Sequence, residues 1–308
     1  MVAPPQPPTV SETITTNSTP ENNVTITDKI YTRVRLAEKA DLYHIYQLFY
    51  QIHAYHSNTH LYKATESSLA DLLFKENPLP LYYGPSVLVL EVSPTPFTEP
   101  KNITDEGFKP VLTTFDLKFP VVEGQVDEFR SKYDDGNDKR DVFIAGYAFF
   151  YANYSCFYDK PGFYFESLYF RESYRKLGMG RLLFGTVASI AANNGFVSVE
   201  GIVAVWNKKS YDFYIDMGVE IFDEFRYGKL HGENLQKESY RKLGMGKLLF
   251  GTVSNIAANN GFVSVDGIVA VWNKKSYDFY IDNGVEIFDE FRYGKLHGEN
   301  LQKYADKE

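Results

Sequence analysis

Cysteine is nearly missing from this chain of 308 residues, which has one, Cys156. A lone thiol excludes an intrachain disulfide framework and a cysteine metal cluster. It lies in an aromatic run, Tyr154-Ser155-Cys156-Phe157-Tyr158, and reads as a packing residue. Positive charge is also scarce: 32 Lys and Arg against 40 Asp and Glu give a formal net charge of -8. That excess argues against nucleic acid as a partner, because such binding needs a basic face to displace counterions. Long apolar runs are lacking too; the best, 87–92, has strand length, so no membrane span is expected. The opening residues MVAPPQPPTVSETITTNSTPENN hold neither the apolar core of a signal peptide nor an Arg-rich amphipathic pattern. Residues 1–27 are therefore expected to be a disordered tail and the protein to be cytoplasmic. The sequons at Asn17, Asn23, Asn102 and Asn153 then carry no meaning.

What the chain does hold is tyrosine and phenylalanine, 24 of each. Such content suits a pocket for a flat, partly polar ligand, and ordinary core packing accounts for it as readily. The charge also fits a cationic amine as substrate, with small weight.

The dominant feature is an internal repeat. Residues 172–237, beginning ESYRKLGMGRLLFGTVASIAANNGF, recur as 238–303 without a linker. The copies differ at five positions: Arg181/Lys247, Ala188/Ser254, Ser189/Asn255, Glu200/Asp266 and Met217/Asn283. A period of 66 residues repeated twice is too long and too brief for a solenoid, and reads as a recent duplication or a faulty gene model.

Ahead of the repeat, KIYTRVRL at 29–36 alternates as a strand. Leu42, Ile45, Tyr46, Phe49 and Ile52 make a helical face over 41–55, and 65–74 is a short helix capped by Thr65. Strands are expected at 85–92, 142–151 and 162–170, with 94–140 a long polar excursion between strands. Each repeat then reads glycine loop, helix, strand, helix, strand, strand. In the first copy these are 174–180, 180–193, 197–205, 208–216, and 220–222 with 225–230 as a closing hairpin.

The chemistry-bearing motif is Arg175-Lys176-Leu177-Gly178-Met179-Gly180, between a strand and a helix. Glycines allow a tight turn, and the helix N-terminus adds partial positive charge, so a pyrophosphate is the natural ligand. It is neither a Walker loop, since no Ser or Thr follows Arg181 or Lys247 in place, nor the dinucleotide fingerprint, since the third glycine is missing. A second motif follows: Trp206-Asn207-Lys208-Lys209-Ser210-Tyr211-Asp212-Phe213-Tyr214. Asn207 can cap a helix that sets Ser210 and Tyr214 on one face.

Together, R-x-x-G-x-G after a strand and N-x-x-S-x-x-F-Y before Gly218 resemble the GNAT superfamily of acyltransferases. The run from Glu166 to Gly218 is similar to the spermidine/spermine and diamine N-acetyltransferase group. YQLFYQIHAYH, THLYKATESSLADLLF, GPSVLVLEVSPTPF and VFIAGYAFFYANYSCFYDK extend the resemblance, over 25–237, to plant acyltransferases that join hydroxycinnamoyl groups to tyramine. The resemblance implies an α/β (α+β) fold with a twisted, mostly antiparallel sheet and flanking helices. It implies direct attack of a free amine on an acyl-CoA thioester, with feruloyl-CoA or acetyl-CoA as co-substrate and no metal. By position, Glu166 matches the base and Tyr214 the general acid at the sulfur. Leu168, Tyr169 and Phe170 would line the thioester and pantetheine. Lys176, Leu177, Gly178, Met179, Gly180 and Arg181, after Arg175, would hold the pyrophosphate, and Asn207 and Ser210 would touch the CoA arm. The relatives implied are homodimers. Acetyl transfer to a diamine or polyamine, and a CoA-binding protein inactivated by the duplication, are the alternatives. His53, His56 and His60 have a metal-like spacing, but the family needs no metal; His53 or Tyr50 lining the acceptor pocket is the better role.

Residues 28–237 supply every element of one such domain. In the second copy, Gly232 stands where Glu166 would be. The expected organisation is a tail at 1–27, a domain at 28–237, an incomplete half-domain at 238–303 and a tail at 304–308. The second copy is expected to be loosely held, since the strand bearing Glu166 runs directly into the first.

Overall fold

The computed structural model describes residues 23–75, 79–98, 108–132, 141–155, 159–236 and 244–305. The expectations for residues 1–22, Asn102, Cys156 and the junction at 237–243 fall outside these; the tail expected over 1–27 is corrected at its end, where Val24–Ile26 form a strand paired with Val121–Glu123. The chain divides into two compact units, Met1–Ala152 with Phe165–Val187, and Asn153–Tyr164 with Ala188–Glu308.

The first unit runs β1 (Val24–Ile26), β2 (Lys29–Leu36), α1 (Leu42–Tyr55), α2 (Glu66–Leu73), β3 (Ser86–Ser93), β4 (Val111–Asp116), β5 (Val121–Glu123) and α3 (Val126–Phe129). It takes in most of β6 (Phe143–Ser155), the end of β7 (Lys160–Phe170) and the start of α4 (Met179–Asn193). Strand β2 pairs antiparallel with β3 and β4, and β3 with β6. The alternation in KIYTRVRL buries Ile30 and Val34, yet Thr32, Arg33 and Arg35 are buried as well, so both strand faces are covered. The arginines are tolerated there because they are paired. Arg35 donates to Asp41 at 2.6 and 2.9 Å and to Glu91 at 2.7 Å, and Arg33 Nε donates to Glu91 at 2.6 Å. Helix α1 lays Ile45, Leu48 and Phe49 against Val87, Val89, Ile144 and Tyr147. Thr65 caps α2 as expected, its hydroxyl accepting from the Ser68 amide at 3.1 Å. The excursion at 94–140 is corrected: it contains β4, β5 and α3. Its strands are short, and β4 gains its stability from pairing along β2, a long-range contact that local polarity does not reveal.

The second unit holds the remaining strands and helices: β8 (Ser198–Ala204), α5 (Lys208–Asp216), β9 (Glu220–Phe222), β10 (Phe225–His231), α6 (Gly244–Asn259), β11 (Ser264–Ala270), α7 (Lys274–Asp282), β12 (Glu286–Phe288), β13 (Phe291–His297) and α8 (Gly298–Gln302). Phe163 and Tyr164 of β7 pair parallel with Val199 and Glu200 of β8, a parallel step in a mostly antiparallel α/β fold.

The two copies exchange a strand. Strand β13 of the second copy pairs antiparallel with β8 and β9 of the first. Strand β10 of the first copy pairs with β11 and β12 of the second. The registers are equivalent, Phe291 to Ala204 and Phe225 to Ala270. The expected hairpin of 220–222 with 225–230 is therefore corrected, as β9 pairs with β13 and β10 with β12. The turn chemistry supplies a reason. Two-residue hairpin loops favour positive φ and want Asn-Gly or similar. Here the connection is Asp223-Glu224, repeated as Asp289-Glu290, and none of these residues adopts positive φ. Short loops that cannot close comfortably invite exchange between identical partners. In place of a loosely held half, the second copy lends a strand to the sheet of the first.

Identical residues meet different fates in the two copies. Met179, Leu183, Val187 and Phe196 are buried, whereas Met245, Leu249, Val253 and Phe262 are exposed. In the first copy Phe196 packs on Phe163 with ring centroids 4.1 Å apart. The second copy has no β7 of its own before it. Helix α6 instead buries its opposite face, with Ala257 beside Leu230, Leu235 and Val285.

Candidate active site

Glu166 lies on β7, exposed, with the Tyr151 hydroxyl donating to it at 3.3 Å. On the adjoining residue, Ser167 donates to the Tyr147 hydroxyl at 3.1 Å. Tyr147 is fully buried, and burial pushes its pKa above the usual phenol value, with the nearby Glu166 charge adding to the rise. A run of rings continues from there. Phe49 sits 4.8 Å from Tyr147 and 5.4 Å from Phe149, and Tyr169 lies 6.5 Å from Tyr147. On α1 and the following loop, Tyr46, Tyr50 and His53 surround Tyr62 at 5.8, 6.1 and 5.0 Å. His53 Nδ1 is 2.8 Å from Asn58 Oδ1, a role that orients the ring toward this cluster. Several of the chain's aromatic rings thus lie on β6, β7, α1 and the loop after α1.

Leu168, Tyr169 and Phe170 end the strand half-buried. The backbone of β6 approaches them closely: a Cβ at Gly146 would stand 2.4 Å from the Tyr169 carbonyl oxygen. The register of β3 on β6 shifts here, between Leu90 and Glu91, as at a β-bulge.

The glycine loop is anchored at its base by residues the motif did not suggest. Arg171 is buried, its Nε donating to the Ile144 carbonyl at 2.8 Å and its Nη1 to Glu123 Oε1 at 2.9 Å. Its Nη2 donates to Glu123 Oε2, and its guanidinium lies 4.1 Å from the Phe129 ring centroid. The Tyr174 hydroxyl also donates to Glu123, at 2.8 Å. Burial raises the Glu123 pKa, but Arg171, the Gln125 amide and Tyr174 outweigh it and hold the carboxyl below the usual range. Sequence reading missed Glu123 because it lies in the stretch taken for an excursion. The only local signal was the pair Arg171 and Tyr174 beside the loop.

Arg175 is turned back over the strand end, its Nε donating to the Phe170 carbonyl at 2.8 Å, with Tyr55 and Tyr169 rings near its guanidinium. Lys176 adopts φ 64°, which costs a residue with a Cβ about 1–2 kcal/mol. Gly178 has φ +88° and a neighbour, Phe115, 3.3 Å from where a Cβ would be. Leu177 and Gly180 are half-buried, Arg181 is exposed and Met179 is buried. The Arg181 amide bonds to the Gly178 carbonyl at 3.0 Å, closing the turn into α4. This strained loop at the mouth of a fifteen-residue helix fits an anionic pyrophosphate. The corresponding loop of the second copy is largely outside the described residues.

In the second unit Asn207 caps α5, accepting from the Ser210 amide at 3.3 Å, as the motif implied. Tyr214 follows on the same helix, half-buried, with burial pushing its pKa upward. The phenol is thereby held protonated at neutral pH.

The Acetyltransferase (GNAT) family matches residues 121–219. Two tyramine N-feruloyltransferases of Nicotiana tabacum, 4/11 and 10/30, are each 76% identical over 220 residues, covering 71% of this chain and 96% of theirs. L-ornithine N5-acetyltransferase NATA1 of Arabidopsis thaliana is 36% identical over 235 residues, covering 76% of this chain and 95% of its own.

Proposed function

The chain belongs to the GNAT acyltransferase family, and from that membership we propose that it is a tyramine N-feruloyltransferase-like enzyme. It moves a hydroxycinnamoyl group, such as feruloyl, from coenzyme A to the amine of tyramine or a similar arylalkylamine. The observation that carries this reading is the 76% identity with the tobacco enzymes over nearly their whole length. The half-buried rings of Tyr62 and Tyr169 support it, because flat aromatic groups stack well on one another.

The amine arrives mostly as ammonium and must lose a proton before it can attack. Glu166 takes that proton, directly or through water. The nitrogen then bonds to the thioester carbon and sheds its second proton to water as the carbon–sulfur bond breaks. Tyr214 gives its proton to the thiolate and is reprotonated from solvent. The products are an amide and free coenzyme A. Leu168, Tyr169 and Phe170 present backbone groups to the acyl arm, Arg175 to Arg181 receive the pyrophosphate, and Asn207 and Ser210 contact the arm. The enzyme acts in the cytoplasm.

Purified protein assayed with feruloyl-CoA and acetyl-CoA against tyramine and putrescine tests the proposal. Feruloyltyramine is the expected main product. Faster acetylputrescine formation would replace the reading with a diamine acetyltransferase. Coenzyme A binding without thioester consumption for any pair would replace it with an inactive binding protein.

A further inference from the structure

Helix α5 carries Tyr214 among half-buried and exposed residues, and both of its ends are held by side chains. The N-terminal end is capped within the first copy, by Asn207. The C-terminal end is held by the second copy and by Tyr304 just beyond it. Asn300 Nδ2 donates to the Gly218 carbonyl at 3.1 Å, and the Tyr304 hydroxyl donates to the Met217 carbonyl at 2.8 Å. The last carbonyls of a helix have no intrahelical partners, so these bonds supply what the helix lacks.

The second copy's equivalent helix is treated differently. Asn234 of the first copy donates to the Gly284 carbonyl at 3.1 Å, mirroring Asn300. No tyrosine mirrors Tyr304, because Glu238 stands at the equivalent position. The residue matching Met217 is Asn283, whose side chain donates to the Phe279 carbonyl at 2.5 Å. Both helix ends thus receive an asparagine from the other copy, and α5 receives in addition a tyrosine from beyond the repeat.

We propose that the second copy positions the Tyr214 helix for catalysis, through β13, Asn300 and Tyr304. The inference rests on Tyr214 being the proton donor. Asn300 and Tyr304 are positioning residues: they act on the main chain three and four residues past Tyr214 and touch no reacting atom. The duplicated half is then a working part of the enzyme that the first half carries.

The test compares Asn300→Ala/Tyr304→Phe with Asn234→Ala and Tyr214→Phe in the full chain, using feruloyl-CoA and tyramine. Asn300→Ala/Tyr304→Phe is expected to lower kcat about tenfold and to change each KM less than twofold, as a misplaced acid does. Asn234→Ala is expected to leave kcat unchanged. Adding the Asn300 and Tyr304 substitutions to Tyr214→Phe is expected to cost nothing further, since groups acting through one another are not additive. Hydrogen exchange of the amides at 208–218 supplies a readout independent of turnover. It is expected to quicken in Asn300→Ala/Tyr304→Phe and not in Asn234→Ala, with thermal melts confirming that both fold. If Tyr214→Phe loses activity while Asn300→Ala/Tyr304→Phe keeps wild-type kcat and exchange, the positioning role is overturned and the acid remains. A loss carried by Asn234→Ala overturns it as well. Wild-type turnover in Tyr214→Phe sinks the acid assignment, and the positioning claim with it.

Discussion

Leu230 and Leu296 occupy the same position in the two copies, and both are fully buried. In the exchanged arrangement they stabilise different parts of the protein. Leu296 pairs with Val199 of β8, in the sheet that the first copy builds. Leu230 packs with Leu235, Ala257 and Val285 around α6. Truncating a buried Leu to Ala costs about 2–5 kcal/mol, the sum of lost transfer energy and the cavity left behind. For a unit of this size each kcal/mol moves Tm by about 2–4 °C, so the shift is roughly 4–20 °C. The assay is the temperature at which half of the acyl-transfer activity is lost after a fixed incubation. Leu296→Ala is expected to lower that temperature by the full amount, and Leu230→Ala to lower it less, because Leu230 packs around α6 and Leu296 on β8. The two substitutions are chemically identical in near-identical surroundings, so each is the control for the other. Inactivation brought forward by Leu230→Ala and spared by Leu296→Ala would refute the exchange and place β10 back beside β8.

Tyr214→Phe is expected to slow turnover by about tenfold to a thousandfold with coenzyme A affinity nearly intact; the same loss in Tyr280→Phe instead would move the working site to the second copy. Glu166→Gln is expected to lower kcat/KM most near neutral pH and to recover as the amine deprotonates at high pH, whereas an equal loss at every pH would mean that Glu166 only positions substrate. The depressed pKa of Glu123 makes its contribution present above the unfolded carboxylate value, about 4.3, and lost as pH falls through its lower folded value. Urea melts between pH 6 and 3 should therefore show wild type losing stability on acidification faster than Glu123→Gln; parallel curves would contradict this. Building Asn-Gly at both 223–224 and 289–290 should close the hairpins and undo the exchange. In a Cys156→Ser background, Val199→Cys with Leu296→Cys should form a disulfide in the wild-type turn and fail to do so in the Asn-Gly variant, with the opposite result for Val199→Cys with Leu230→Cys.

Much of the local structure follows from sequence because it depends on near neighbours. The alternation at 29–36, the helical face of 42–55, the Thr65 and Asn207 caps and the turn at Gly178 all lie where pattern and residue chemistry place them. The motifs proposed as machinery on β7, the glycine loop and α5 are likewise contiguous, so the elements that carry them follow from local pattern. The sequence also declares the repeat. It does not declare which copy of an identical strand pairs with which edge, because Phe225–His231 and Phe291–His297 present the same side chains to the same partners. Tertiary structure decides that through a connection, Asp223-Glu224, whose conformation does not favour a tight hairpin. It likewise decides that Glu123, far from the loop in sequence, anchors Arg171 and Tyr174, because only the folded chain brings a buried carboxylate within hydrogen-bonding distance of both.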